Sequence, residues 1–157
     1  MPTLTEKTAL KHEFRSPTQI LEKELELRKM DFEKFAAPKL PLKVSAAPIV
    51  GTWVNCDPQT RSLVRVVIAP KGNEITVHAF GACTPTPCDW GEVDGMVFAD
   101  SVCSTPAVAF TAHYQFSFVE TTLVGHLYMG ALHVEKFEHF IDNSGRADYY
   151  SLDIMTK

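Results

Sequence analysis

From Val50 onward, apolar and polar residues alternate with a period of two, while the stretch before it repeats at helical spacing. A period of two marks a strand with one face buried, and enrichment in Val, Ile, Phe, Tyr and Thr marks the same state. The pattern predicts strands over Val50–Asn55, Leu63–Ala69, Glu74–Phe80, Glu92–Ala99, Ala107–Phe118, Thr121–Met129, Ala131–Ile141 and Asp148–Met155. Turn signals separate them at Asp57-Pro58, Lys71-Gly72-Asn73, the proline-rich run from Cys83 to Asp89, Asp94-Gly95 and Asp142-Asn143-Ser144-Gly145. Short links between consecutive strands favour an antiparallel meander. The predicted fold is therefore mainly β, a small antiparallel up-and-down barrel of about eight strands with room for side chains or one small ligand.

The earlier stretch reads differently. Ser16 can cap a helix, Pro17 suits its first position and Gln19 can complete a capping box. Leu21, Leu25, Phe32 and Phe35 then share one side among Glu22, Lys23, Glu24, Arg28 and Lys34, which predicts an amphipathic helix to about Phe35. Its expected role is to pack outside the barrel or close one end. Pro38, Pro41 and Pro48 predict an extended connector. Residues 1–48 thus read as a helical leader and connector, and 49–157 as the barrel domain.

Hydrophobic residues make up 45% of the 157-residue chain and charged residues 22%, so a packed core is expected. The formal net charge of −4 argues against a nucleic-acid partner. No long apolar run suggests a membrane span, and Lys and Glu near the start stand where a signal peptide would be apolar. These features predict a cytoplasmic chain with reduced Cys56, Cys83, Cys88 and Cys103. The cysteines do not form paired Cys-x-x-Cys units, and no phosphate loop, dinucleotide fingerprint, nucleophile elbow or zincin motif occurs, so neither metal nor cofactor is expected.

Gly51-Thr52-Trp53 resembles the Gly-x-Trp entry of the lipocalin and avidin group of ligand-binding (calycin-type) barrels. In lipocalins that tryptophan often packs with an arginine from the last strand; Arg61, Arg65 and Arg146 are the candidates here. Further blocks are Asn55-x-Asp57-Pro58-x-Thr60-Arg61, Val77-His78-x-Phe80-Gly81-x-Cys83, Cys88-Asp89-Trp90-Gly91 and Asp142-Asn143-Ser144-Gly145-Arg146. Together they resemble an uncharacterised bacterial barrel domain over about the last two thirds of the chain. The resemblance implies a fold and no particular activity.

A two-residue turn at Met129-Gly130 would set His126 opposite His133 and Tyr128 opposite Ala131. A three-residue loop at Asn143-Ser144-Gly145 would set His139 near Tyr149 and Glu135 near Asp153. One face then carries His126, Tyr128, His133, Glu135, Phe137, His139 and Tyr149, and the other carries Leu123, Leu127, Leu132, Val134, Phe140, Leu152 and Ile154. If the leucine face fills the barrel, the histidine face is wet. Lys136 and Glu138 on the leucine face speak for the opposite orientation, because charges in a dry core are costly.

The leading expectation is a barrel that binds a largely apolar small molecule. His78, Trp90, Phe110, Tyr114, Phe116, Phe137, His139 and Tyr149 are the candidate ligand contacts, with Trp90 at a rim next to Cys83–Cys88. The alternative is a cofactor-independent isomerase or cyclase in which His126, His133, Glu135 or Tyr128 moves a proton inside the barrel. A protein-interaction module is the third reading, resting on the helical leader, and self-association as a homodimer is compatible with it.

Overall fold

A computed structural model describes residues 16–34 and 43–157. The chain divides into two units, Met1–Pro41 and Leu42–Lys157, and each is taken by itself. In the first, α1 (Pro17–Lys34) begins with the expected capping box: Ser16 N donates to Gln19 Oε1 at 3.1 Å and Gln19 N donates to Ser16 Oγ at 3.3 Å. Phe35, Pro38 and Pro41 lie outside the described residues, and the side chain of Phe32 does too.

The second unit is a closed barrel of eight antiparallel strands in sequence order: β1 (Gly51–Asn55), β2 (Leu63–Lys71), β3 (Glu74–Gly81), β4 (Cys88–Ala99), β5 (Ala107–Gln115), β6 (Val119–Tyr128), β7 (Ala131–Phe140) and β8 (Tyr149–Thr156). It is the up-and-down meander that the alternation predicts. The unit also takes in residues just before the strands. Ser45 N donates to Thr105 O at 2.6 Å, Ala107 N donates to Ser45 O at 2.8 Å, and Ile49 is wholly buried, so part of the expected connector belongs to the barrel. Among the described residues no helix is long and apolar enough to cross a membrane.

Inward positions alternate along each strand. Val66 and Ile68, Ile75 and Val77, Leu123, Leu132 and Val134 are fully buried, so the leucine face fills the barrel. Phe110 lies at the centre because Gly125 opposite it has no side chain. A Cβ on Gly125 would stand 2.0 Å from Phe110 Cε1. Gly81 makes similar room for Trp90, whose Nε1 would lie 2.8 Å from an added Cβ. Trp53 plugs the end where the chain enters, donating from Nε1 to Ile49 O at 2.7 Å. The cation over its ring is Lys157, at 4.7 Å, in place of any of the three arginines considered. Arg65 instead covers Phe80 at 4.0 Å and Arg146 covers Phe140 at 4.1 Å.

Closure is thin at β1–β8, where only Val54↔Thr156 and Asn55↔Met155 pair. Side chains bind the seam above these pairs. Asp153 accepts from Asn55 Nδ2 at 2.9 Å and from Ser62 Oγ at 2.7 Å, with Thr60 Oγ1 and Leu63 N farther at 3.4 Å. The Asn55-x-Asp57-Pro58-x-Thr60 block is therefore a structural clasp, and Asp57 also stops the turn by accepting from Gln59 N at 2.9 Å.

The two hairpins of the histidine region come out differently. Met129 (φ 50°) and Gly130 (φ 82°) form the expected two-residue turn, and His126 faces His133. The next connection is longer than expected, running from Ile141 to Asp148 with Asn143 at φ 55° and Gly145 at φ 74°. Arg146 Nη2 donates to Asp142, and Ser144 N donates to the same carboxylate at 3.1 Å. This held loop brings Tyr149 opposite Glu138 and Asp153 opposite Val134, one residue away from the expected register. Such a slip reverses every side chain. Leu152 and Ile154 consequently point outward, 47% and 42% exposed, while Asp153 and Met155 point in.

Candidate functional site

The histidine face is on the outside of the barrel. His126 and His133 sit 5.2 Å apart between ring centroids with Tyr128 edge-on to His133 at 5.6 Å, so the expected neighbours meet, but Gly125, Leu132 and Val134 between them take the interior. Glu135 shares the outer face and lies opposite Leu152 rather than Asp153. An inward acid–base group built on His126, His133, Glu135 and Tyr128 is thus not what the fold forms. His78 is also outward, stacked on Phe80 at 4.4 Å and bonded to Asp89. The Gly91 N–H and then His78 hold the Asp89 carboxyl below its usual range. Among the described residues no three potential ligands come together as a metal site.

The polar chemistry of the interior gathers at the end carrying the β1–β2, β3–β4, β5–β6 and β7–β8 loops. Lys136, 4% exposed, donates from Nζ to Glu138 Oε1 at 3.2 Å and to Tyr149 Oη at 3.3 Å. The Glu138 side chain is itself 10% exposed, and the ammonium lies 5.9 Å from the Trp90 ring. Burial first, then the Glu138 carboxylate, raise the Tyr149 hydroxyl above its ordinary pKa. Trp90 meets Tyr114 and Phe116 edge-on at 5.5 and 5.6 Å, completing an aromatic wall. Thr121, paired across strands with Tyr114 and Glu138, is wholly buried, and among the described residues its Oγ1 has no hydrogen-bond partner.

Of the expected ligand contacts, Trp90, Tyr114, Phe116 and Tyr149 converge here. Phe110 lies deeper, packed on Gly125. The Tyr114 hydroxyl is already committed: it donates to Val77 O at 2.6 Å and accepts from Ala79 N at 3.1 Å, where a bulge interrupts the β3–β4 ladder. Its burial raises its pKa well above the ordinary phenol value. Tyr114 therefore offers its ring to the site and its hydroxyl to the fold. Lys136 and Glu138 were visible in the sequence as charges on the leucine face, whereas nothing in the local pattern singles out Thr121.

Phe137 and His139 meet elsewhere. They line an outer cleft of about 410 Å³ with His113, Glu120, Glu138, Asp148, Tyr149 and Tyr150. His139 Nδ1 lies 2.7 Å from Asp148 Oδ2; this contact raises the imidazole pKa and lowers that of the carboxyl, which also accepts from Phe140 N at 2.9 Å.

At the rim, Cys83 and Cys88 are joined by a disulfide with Cα atoms 5.4 Å apart, while Cys56 and Cys103 are free. The expectation that all four thiols are reduced is corrected at this pair: Gly81 and Cys88 are ladder partners, and the turn returns Cys83 to the same place. Disulfides persist in oxidising surroundings. Comparison of the chain with protein-family models, with curated proteins and with solved structures finds no match.

Proposed function

We propose that the barrel binds a neutral, largely apolar small molecule at the end carrying the β3–β4 and β7–β8 loops, through a head group that both donates and accepts a hydrogen bond. The observation that carries this reading is Thr121 Oγ1, a wholly buried hydroxyl without a partner among the described residues, beside the Lys136–Glu138 pair. An unmet buried hydroxyl is costly, so one that is retained calls for a partner from outside the chain. Lys136 has a third N–H and Glu138 has unused lone pairs, which match an amide or lactam edge, and Trp90 and Phe116 supply apolar walls. Each member of the ion pair already satisfies the other, which suits recognition more than proton transfer. The resemblance to lipocalin and avidin barrels supports the same class of function.

Titration with 2-quinolone, an aromatic lactam absorbing where tryptophan emits, tests the reading in a Trp53→Phe background so that Trp90 reports alone. Saturable one-to-one quenching that weakens at least about tenfold in Thr121→Val is expected, the worth of one good hydrogen bond in a dry site. Quenching that is unsaturable, or indifferent to Thr121→Val and Lys136→Met, would contradict it.

A further inference from the structure

The outer cleft of β5–β8 combines two kinds of wall that rarely serve a fold. Phe137 and Tyr150 are cross-strand partners with ring centroids 5.3 Å apart, yet they remain 45% and 53% exposed. Aromatic rings left in water inside a concavity rimmed by polar groups mark a contact surface. Glu120 and Asp148 line the same cleft. Exposed aromatic rings in one cleft with carboxylates are the recognition chemistry of an ammonium ion.

We propose that this cleft binds a substituted ammonium group, the aromatic pair taking its apolar shell and Glu120 with Asp148 its charge. The charge balance gives the binding a direction with pH. From β7, Glu138 is offset by Lys136, leaving Glu120 of β6 and Asp148 as the unbalanced anions at high pH. Protonation of His139 of β7, beside Asp148, offsets one of them; His113 of β5 and the Tyr149 and Tyr150 side chains of β8 also face the cleft. The His139–Asp148 contact places that first protonation above the ordinary imidazole value, so acid releases the cation.

Choline and its uncharged isostere 3,3-dimethyl-1-butanol are the probes, followed by aromatic and imidazole resonances of the full chain. Choline is expected to shift Phe137, Tyr150 and His139, to bind about tenfold or more tighter than the alcohol, and to weaken between about pH 9 and about pH 5.5. Tyr150→Ala and Glu120→Gln should each weaken it while melting close to the wild type, since both side chains reach the surface. Equal binding of choline and the alcohol, or tighter choline binding in acid, would overturn the assignment; so would the absence of any shift at these residues. Quinolone titrated into the same samples reports the interior site separately, so either can fail alone.

Discussion

Replacing Thr121 by Val removes the one unpartnered buried hydroxyl among the described residues and nothing else of comparable size. Both residues are β-branched, so χ1 and strand preference carry over. Burying a hydroxyl without a hydrogen bond costs about 1–3 kcal/mol in proteins, and the added methyl contributes up to about 0.8 kcal/mol of burial. Against this stands some misfit where a methyl replaces a smaller oxygen beside Tyr114 and Glu138. The balance predicts a protein more stable by about 1–2 kcal/mol, read from urea unfolding at unchanged m-value. With about 2–8 °C of Tm per kcal/mol across domains of 60 to 250 residues, the melt should rise by several degrees. The same variant should lose quinolone affinity, so stability and binding move in opposite directions. A variant destabilised by about 1 kcal/mol or more would mean that the hydroxyl serves the fold, and the argument for a ligand at this place would fail.

Gly125→Ala should cost about 1–3 kcal/mol or more, because its Cβ would enter the Phe110 ring at 2.0 Å; adding Phe110→Leu should restore part of the loss in a double-mutant cycle. Asp153→Leu should destabilise by about 3 kcal/mol or more in urea unfolding, since it strands the donors of Asn55 and Ser62 at the seam. The His139–Asp148 pair stabilises the fold below the ordinary imidazole value of 6.5 and ceases to do so as pH rises through the raised folded value; its carboxyl side is lost as pH falls through the depressed Asp148 value. Asp148→Asn should therefore lower the His139 titration midpoint towards 6.5, followed by imidazole NMR. Removing the disulfide as Cys83→Ser with Cys88→Ser should cost about 2 kcal/mol on chain-entropy grounds for so short a loop, measured by the urea midpoint.

The barrel was legible because strand alternation and turn residues are local. The Met129-Gly130 turn is the clearest case: two positive φ angles fix the register, and His126 meets His133 as the sequence implies. The choice of inward face is less legible, since Lys136 and Glu138 put charge on the leucine side. They are accommodated by pairing with each other and with Tyr149 near the β7–β8 loop, a solution that depends on β8 as well as β7. The β8 register differs from the one the turn residues imply for a related reason. Arg146 and Asp142 hold a longer loop through side-chain contacts, which turn statistics at Asn143-Ser144-Gly145 do not contain. Gly81 and Gly125 likewise acquire meaning only beside Trp90 and Phe110, far away in sequence. The resemblance blocks proved to be largely structural, from the Asp153 clasp to the Arg146 loop, which explains why they specify a fold without a substrate.

The central claim, that ligand binds among Thr121, Lys136 and Trp90 inside the barrel, is tested most directly by residue-resolved NMR during the quinolone titration. The account predicts that the Thr121 methyl and the Trp90 indole N–H shift together along one saturating curve, while the outward His126 and His133 imidazoles stay still. Shifts at His126, His133 and Tyr128 with a silent Thr121 would contradict it and return the site to the outer face.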